Sequence, residues 1–120
     1  MVNYFFDTSA IIELLKRNPA YEQYREFPLV TSVLNKIEVY WWALTRYDQK
    51  LGDILLNSLS NTLEVSDDVI REAMLFRKQY KKREISYADS IGYAFAIKHN
   101  LKFLTGDKEF KDLPDVEFVQ

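Results

Sequence analysis

Four carboxylates stand where local structure gives them little to do: Asp7, Glu38, Asp89 and Asp107. Asp7 is the only charge between Met1 and Ile12, Glu38 the only one between Ile37 and Leu44, and Asp89 the only one between Tyr87 and Ile97. An unpaired carboxylate in an apolar segment costs on the order of several kcal/mol to bury, or else takes up a proton. Asp107 is in more ordinary company, beside Lys108, Glu109 and Asp112. Capping is the plain alternative. Asp7 precedes a helix beginning at Thr8, Asp107 precedes a short helical turn, and Asp89 follows Ser86 at capping-box spacing. Glu38 follows Asn35 at the same spacing but lies too deep in its helix for that role.

One explanation covers all four. Asp7 follows the first predicted strand and Asp107 the fourth. In open parallel sheets, ligands bind beyond the carboxyl ends of the strands. Glu38 lies about two turns into the helix after strand two, and Asp89 lies in the first turn of the helix leading to strand four. Acids brought together there repel by about 4 kcal/mol per pair at about 4 Å and an effective dielectric near 20, so they call for a cation. The single histidine, His99, and the absence of cysteine leave only hard oxygen ligands, which select Mg²⁺ or Mn²⁺ over zinc. Such an ion bridges a phosphate, activates water and stabilises a leaving oxygen. One histidine also excludes a two-histidine acid–base nuclease, and three glycines build no phosphate-cradling loop.

The elements that must position these acids are readable from periodicity. Val2–Phe6 is an apolar run suited to a strand buried on both faces. Thr8–Arg17 repeats apolar residues at helical spacing until Asn18-Pro19, and a short helix follows near Tyr21–Glu26. Pro28–Thr31 and Thr62–Val65 read as further strands. Between them lie a helix capped by Ser32 and running to about Tyr47, and another over Asp48–Leu59. Ser66 or Asp67 caps a helix to about Lys82, with Ile70, Ala73, Met74 and Arg77 on one face. Ser86 caps the next, to about His99, with Asn100 as its stop. Lys102–Leu104, a turn at Asp107–Lys111 and Val116–Val119 complete the chain. Alternating strands and helices imply one α/β domain over residues 1–120. It has three α/β/α layers around a mainly parallel sheet of four to five strands.

Composition agrees: 48% hydrophobic residues and 15% aromatic among 120 suffice for one core. The net charge of −2 means that nucleic acid binding requires a local basic patch or bound metal. No signal peptide or membrane span is expected, so the reading is a soluble, cytoplasmic protein.

At Phe6-Asp7-Thr8-Ser9-Ala10, the Glu38 helix, Ser86-Tyr87-Ala88-Asp89 and Leu104-Thr105-Gly106-Asp107-Lys108-Glu109-Phe110, the sequence resembles the PIN-domain family, and specifically VapC-like toxins of toxin–antitoxin modules. The last two segments, about twenty residues apart, are the specific pair. The resemblance implies divalent metal on Asp7, Glu38, Asp89 and Asp107, and cleavage of single-stranded RNA to a 5′-phosphate and a 3′-hydroxyl. It further implies a homodimer and a small antitoxin whose tail enters the site, and it makes Ser9 and Thr105 candidate auxiliary hydroxyls.

Other features have two readings each. Arg77, Lys78, Lys81, Lys82 and Arg83 form either a solvated helix end that complements its dipole, which is favoured, or a phosphate patch. Tyr40, Trp41, Trp42 and Tyr47 cannot all face one core, so some can line a dimer or antitoxin surface or, on an equal footing, pack under the Asp48–Leu59 helix, with base stacking the less favoured use. His99 reads as structural. A haloacid-dehalogenase-type phosphatase would need an aspartate at position 9, which is Ser, and a receiver domain would need a late lysine and an early acidic pair. The remaining rivals are an RNA-processing nuclease without antitoxin and a catalytically inert RNA- or protein-binding module.

Overall fold

The computed structural model describes residues 2–120. Three strands form a parallel ladder: β1 (Tyr4–Phe6), β2 (Lys102–Thr105) and β3 (Val116–Phe118), in the order β1-β2-β3. Phe5 lies opposite Phe103 and Phe6 opposite Leu104, while Thr105 lies opposite Phe118. Five helices surround the ladder: α1 (Thr8–Leu15), α2 (Val33–Arg46), α3 (Gln49–Ser58), α4 (Asp67–Gln79) and α5 (Tyr87–Lys98). Two 3-10 segments, Pro19–Glu26 and Lys108–Phe110, fill connections.

The expected four- to five-stranded sheet is corrected to three strands. The two further segments approach the sheet but contribute only isolated bridges, Val30 to Phe5 and Leu63 to Ser32, both parallel. They hold their places through single bonds: Phe6 N–H donates to Val30 O (2.8 Å) and Leu63 N–H to Thr31 O (3.0 Å). Pro28 removes one donor from the first segment, and each run is too short to build a ladder. The parallel α/β architecture stands, and most of the regular structure is helical.

Side chains alternate across a strand, and this alternation makes the layers. Phe6 and Leu104 point to the side where α1, α2 and α3 pack, among Ala10, Ile11, Leu14, Val39, Ala43 and Leu55. Phe5 and Phe103 point to the other side, among Val69, Ala73, Tyr93, Phe95 and Phe110 on and around α4 and α5. The buried face of α4 carries Val69 and Ala73, with Phe76 half-buried, and Ile70 turns outward. Ring geometry adds to the second core: Phe103 packs edge-on to Tyr93 at 5.7 Å and against Phe110 at 4.8 Å.

Caps fall where the sequence places them. Ser66 and Ser86 accept the N–H of Val69 and Asp89, and Asp48 accepts that of Leu51. Asn100 takes a left-handed conformation (φ 56°), and Leu101 N–H closes back on Ala96 O at 2.8 Å, which ends α5 and starts β2. His99 stacks on Phe95 with ring centres 4.2 Å apart.

Gly92 brings α5 onto the sheet. A Cβ there would sit 2.6 Å from Phe5 Cε1 and 3.0 Å from Phe103 Cε1. In an ordinary helix, glycine-to-alanine is stabilising by about 0.5–1 kcal/mol. Here Gly92→Ala is expected to destabilise by about 1–3 kcal/mol through overpacking, read as a lower urea midpoint at unchanged m.

Candidate active site

Three of the four acids sit at element starts on one edge of the sheet. Asp7 follows β1 and is the N-cap of α1; its Oδ1 accepts Ala10 N–H at 2.8 Å and Ser9 Oγ at 2.7 Å. Asp107 follows β2 and caps the 3-10 turn, accepting Glu109 N–H at 3.0 Å. Asp89 lies in the first turn of α5 behind Ser86. Glu38 reaches the same region from the second turn of α2, where Thr8 Oγ1 donates to its Oε1. Capping is therefore real for Asp7 and Asp107, and it does not exhaust their role. A cap on a free surface keeps its carboxylate in water, whereas Asp7 is 1% exposed.

Electrostatics show that the four share one region. Burial pushes the Asp89 carboxyl up to about 7, and the negative charges of Asp7, Asp107 and Glu38 push in the same direction. Burial likewise raises Asp7 to about 6; hydrogen bonds from Thr105, Ser9 and Ala10 N–H pull it back, and Asp107 repels it. Among the described residues, none of the four acids has a lysine or arginine partner in an ion pair. They do not yet close on a point: among the described residues no three of them stand near enough to ligate one ion. The donor set is oxygen only, rich in negative charge and without counter-charge, and in chemistry it fits a hard divalent cation.

Hydroxyls and one amide hold the acids in place. Ser32 N–H and Oγ both donate to Asn35 Oδ1, Asn35 Nδ2 donates to Thr8 Oγ1 at 3.1 Å, and Thr8 Oγ1 donates to Glu38 Oε1. Asn35 is fully buried, so this chain ties α1 to α2 in a water-poor place. Ser9 Oγ accepts Gly106 N–H at 3.0 Å while donating to Asp7, and Thr105 Oγ1 accepts Asp107 N–H at 3.0 Å. Gly106 has no room for a side chain: a Cβ would lie 2.9 Å from Tyr21 Oη and 3.2 Å from Val119 O. The sequence reading gave Thr8, Asn35 and Gly106 no part in positioning the acids, although the Ser32-x-x-Asn35 spacing is a capping-box signal in plain view.

The basic run divides. Arg77 Nε donates to Ile85 O, and its guanidinium lies 4.4 Å from the Tyr87 ring centre. Arg83 donates to Glu109 O and Asp112, which pins the turn that carries Asp107. These two arginines are half-buried structural contacts rather than part of a solvated helix end, whereas Lys78, Lys81 and Lys82 are exposed. The aromatic cluster divides too: Tyr40 and Trp42 are half-buried, Trp41 and Tyr47 exposed. Val33, Ile37, Trp41 and Leu44 leave an exposed apolar stripe along α2.

A sequence model of the PIN domain matches residues 4–116, and the chain belongs to the PIN-domain family. A search of curated proteins finds no match. Among solved structures, the fold is similar to a toxin–antitoxin complex from Klebsiella pneumoniae, at 24% identity, TM-score 0.75 and 96% coverage of both chains. It is also similar to VapC20 of Mycobacterium tuberculosis, described as a sarcin–ricin loop cleaving toxin, at 18% identity and TM-score 0.80, covering 98% of this chain and 100% of that one. A third is VapBC-1 from nontypeable Haemophilus influenzae, at 23% identity and TM-score 0.74, covering 98% and 96%. Among the described residues no helix is long and apolar enough to cross a membrane.

The raised carboxyls have a consequence for stability. Unfolded, Asp7 and Asp89 titrate near the ordinary 3.8; folded, they titrate near 6 and 7. Between these limits the folded state binds more protons, so stability falls as pH rises. Metal-free protein is expected to melt several degrees lower at pH 8 than at pH 5, and Asp89→Asn is expected to flatten that slope in thermal scans.

Proposed function

We propose that this chain is a divalent-metal-dependent endoribonuclease acting on single-stranded RNA, the toxin of a toxin–antitoxin pair. One observation carries the reading: the half-buried Asp89 carboxyl is raised by burial and by the charges of Asp7, Asp107 and Glu38, and among the described residues no cationic side chain is paired to any of the four. Membership of the PIN family supports it, as do similar structures described as toxins and toxin–antitoxin complexes.

In this reading Asp7, Glu38 and Asp89 hold Mg²⁺ or Mn²⁺, and Asp107 completes the site or holds a second ion. When bound, the ion supplies a polarised phosphate and an activated water. The chain supplies position. Ser9 and Ala10 N–H orient the Asp7 carboxylate, Thr8 orients Glu38, and Thr105 holds the Asp107 backbone beside Asp7. No side chain needs to act as general base. The partner is a small antitoxin protein, for which the α2 stripe is a suitable surface, and the toxin works as a cytoplasmic homodimer.

The inert-module reading has one observation in its favour, namely that no three acids close on an ion position as they stand. A Mn²⁺ titration separates the two. A functional site gains melting temperature as metal rises, by mass action, and an inert scaffold does not. Asp7→Asn and Asp89→Asn are each expected to lower Mn²⁺-dependent cleavage by about a hundredfold or more while the fold persists; full activity in either variant removes the mechanism. Thr8→Val should cost about tenfold in apparent metal affinity, because Glu38 loses its orienting donor.

A further inference from the structure

Beside the acid-bearing edge lies an open cleft of about 400 Å³, lined by α1, by the later turns of α2 and by the last residues of the chain; the four acids themselves do not line it. Its lining includes Ser9, which donates to Asp7 Oδ1, and Gly106, whose N–H donates to Ser9 Oγ, so the cleft adjoins the acids through these two residues. Glu13, Lys16, Trp42 and Arg46 are among its other lining residues. Glu38, Trp42 and Arg46 recur every four residues, so they follow one another along one side of α2. Helical rise places Arg46 roughly 12 Å beyond Glu38.

The far end is basic in a chain whose net charge is −2. Lys16 is paired with Glu13 at 3.2 Å, but among the described residues Arg46 has no ion-pair partner. One uncompensated guanidinium therefore stands there. Trp42 is half-buried, and its indole meets the Tyr47 ring at 5.4 Å, nearly edge-on, which fixes it as a platform rather than a mobile flap. A fixed ring followed by a free guanidinium matches a base and the phosphate of a strand leaving the cut site. A peptide bringing arginine towards the acids would instead have to pass Arg46 as a like charge.

We propose that this cleft is the substrate track, with Arg46 holding a phosphate beyond the one that is cut and Trp42 stacking an adjacent base. The proposal rests on the nuclease reading, and both residues act in binding rather than in chemistry.

The test is fluorescence anisotropy of a labelled, mixed-sequence, single-stranded oligoribonucleotide on the full chain in chelator, so that affinity is scored apart from cleavage. Arg46→Ala is expected to weaken binding about tenfold and to lower the slope of log affinity against log salt by about 0.7, the share of one single-strand phosphate contact. Arg46→Lys should keep most of the salt slope. In a Trp41→Phe variant, Trp42 is the one remaining tryptophan, and its emission should be quenched by the RNA. Unchanged affinity and slope in Arg46→Ala, with no quenching, would overturn the proposal; this is the outcome if the cleft seats a protein partner instead. RNA binding through Arg46 without any cutting by the Mn²⁺-loaded protein would sustain the track and remove the nuclease reading alone.

Discussion

Mutual repulsion among Asp7, Glu38, Asp89 and Asp107 is the constraint around which this molecule is arranged. Burial, with the charge of the neighbouring acids added to it, raises the carboxyls of Asp7 and Asp89, and elements that start or pass there hold the group at one sheet edge. Folding must bring them together against their charge, and the opposing force comes from packing. Phe5, Phe6, Phe103 and Leu104 are completely buried on the two faces of β1 and β2, and their burial fixes where the strands end. The acids follow those ends.

Neutral donors make the arrangement tolerable without neutralising it. Asp7 receives a backbone N–H and hydroxyls, Glu38 receives a threonine hydroxyl, and the threonine is itself oriented by a buried asparagine. A lysine in any of these places would lower the repulsion and also compete for the position that a divalent ion would take. Hydroxyls and amides fix orientation while leaving the negative charge in place. In keeping with this, Arg77 and Arg83 bond carbonyl oxygens and Asp112 rather than any of the four acids.

The two helical layers have different characters. On the side of α4 and α5, the sheet meets a dense aromatic core, closed by Gly92 where α5 touches Phe5 and Phe103. On the side of α1 and α2, residues of both helices line the open cleft, and α2 presents an apolar stripe outward. Dense packing lies behind the acids, while the cleft and the apolar stripe lie on the other helical layer.

Much of this was written in residue order. Isolated acids in apolar runs singled out Asp7, Glu38 and Asp89, because burial of a lone charge needs a reason whatever the fold. Serine caps and helical periodicity marked α1 to α5 to within a few residues, since capping and amphipathicity are local. Strand number was not legible: Pro28–Thr31 and Thr62–Val65 have strand composition, but a ladder depends on a neighbour's length and register, and each achieves only a bridge. Nor were Thr8 and Asn35, whose bonds span 27 and 30 positions of sequence, or Gly106, whose need for glycine arises from Tyr21 and Val119. The division follows from range. The chain alone determined which residues carry charge, cap and core, while only tertiary packing decided how many strands pair, which hydroxyl meets which acid, and that Arg46 lies along the same cleft as Ser9.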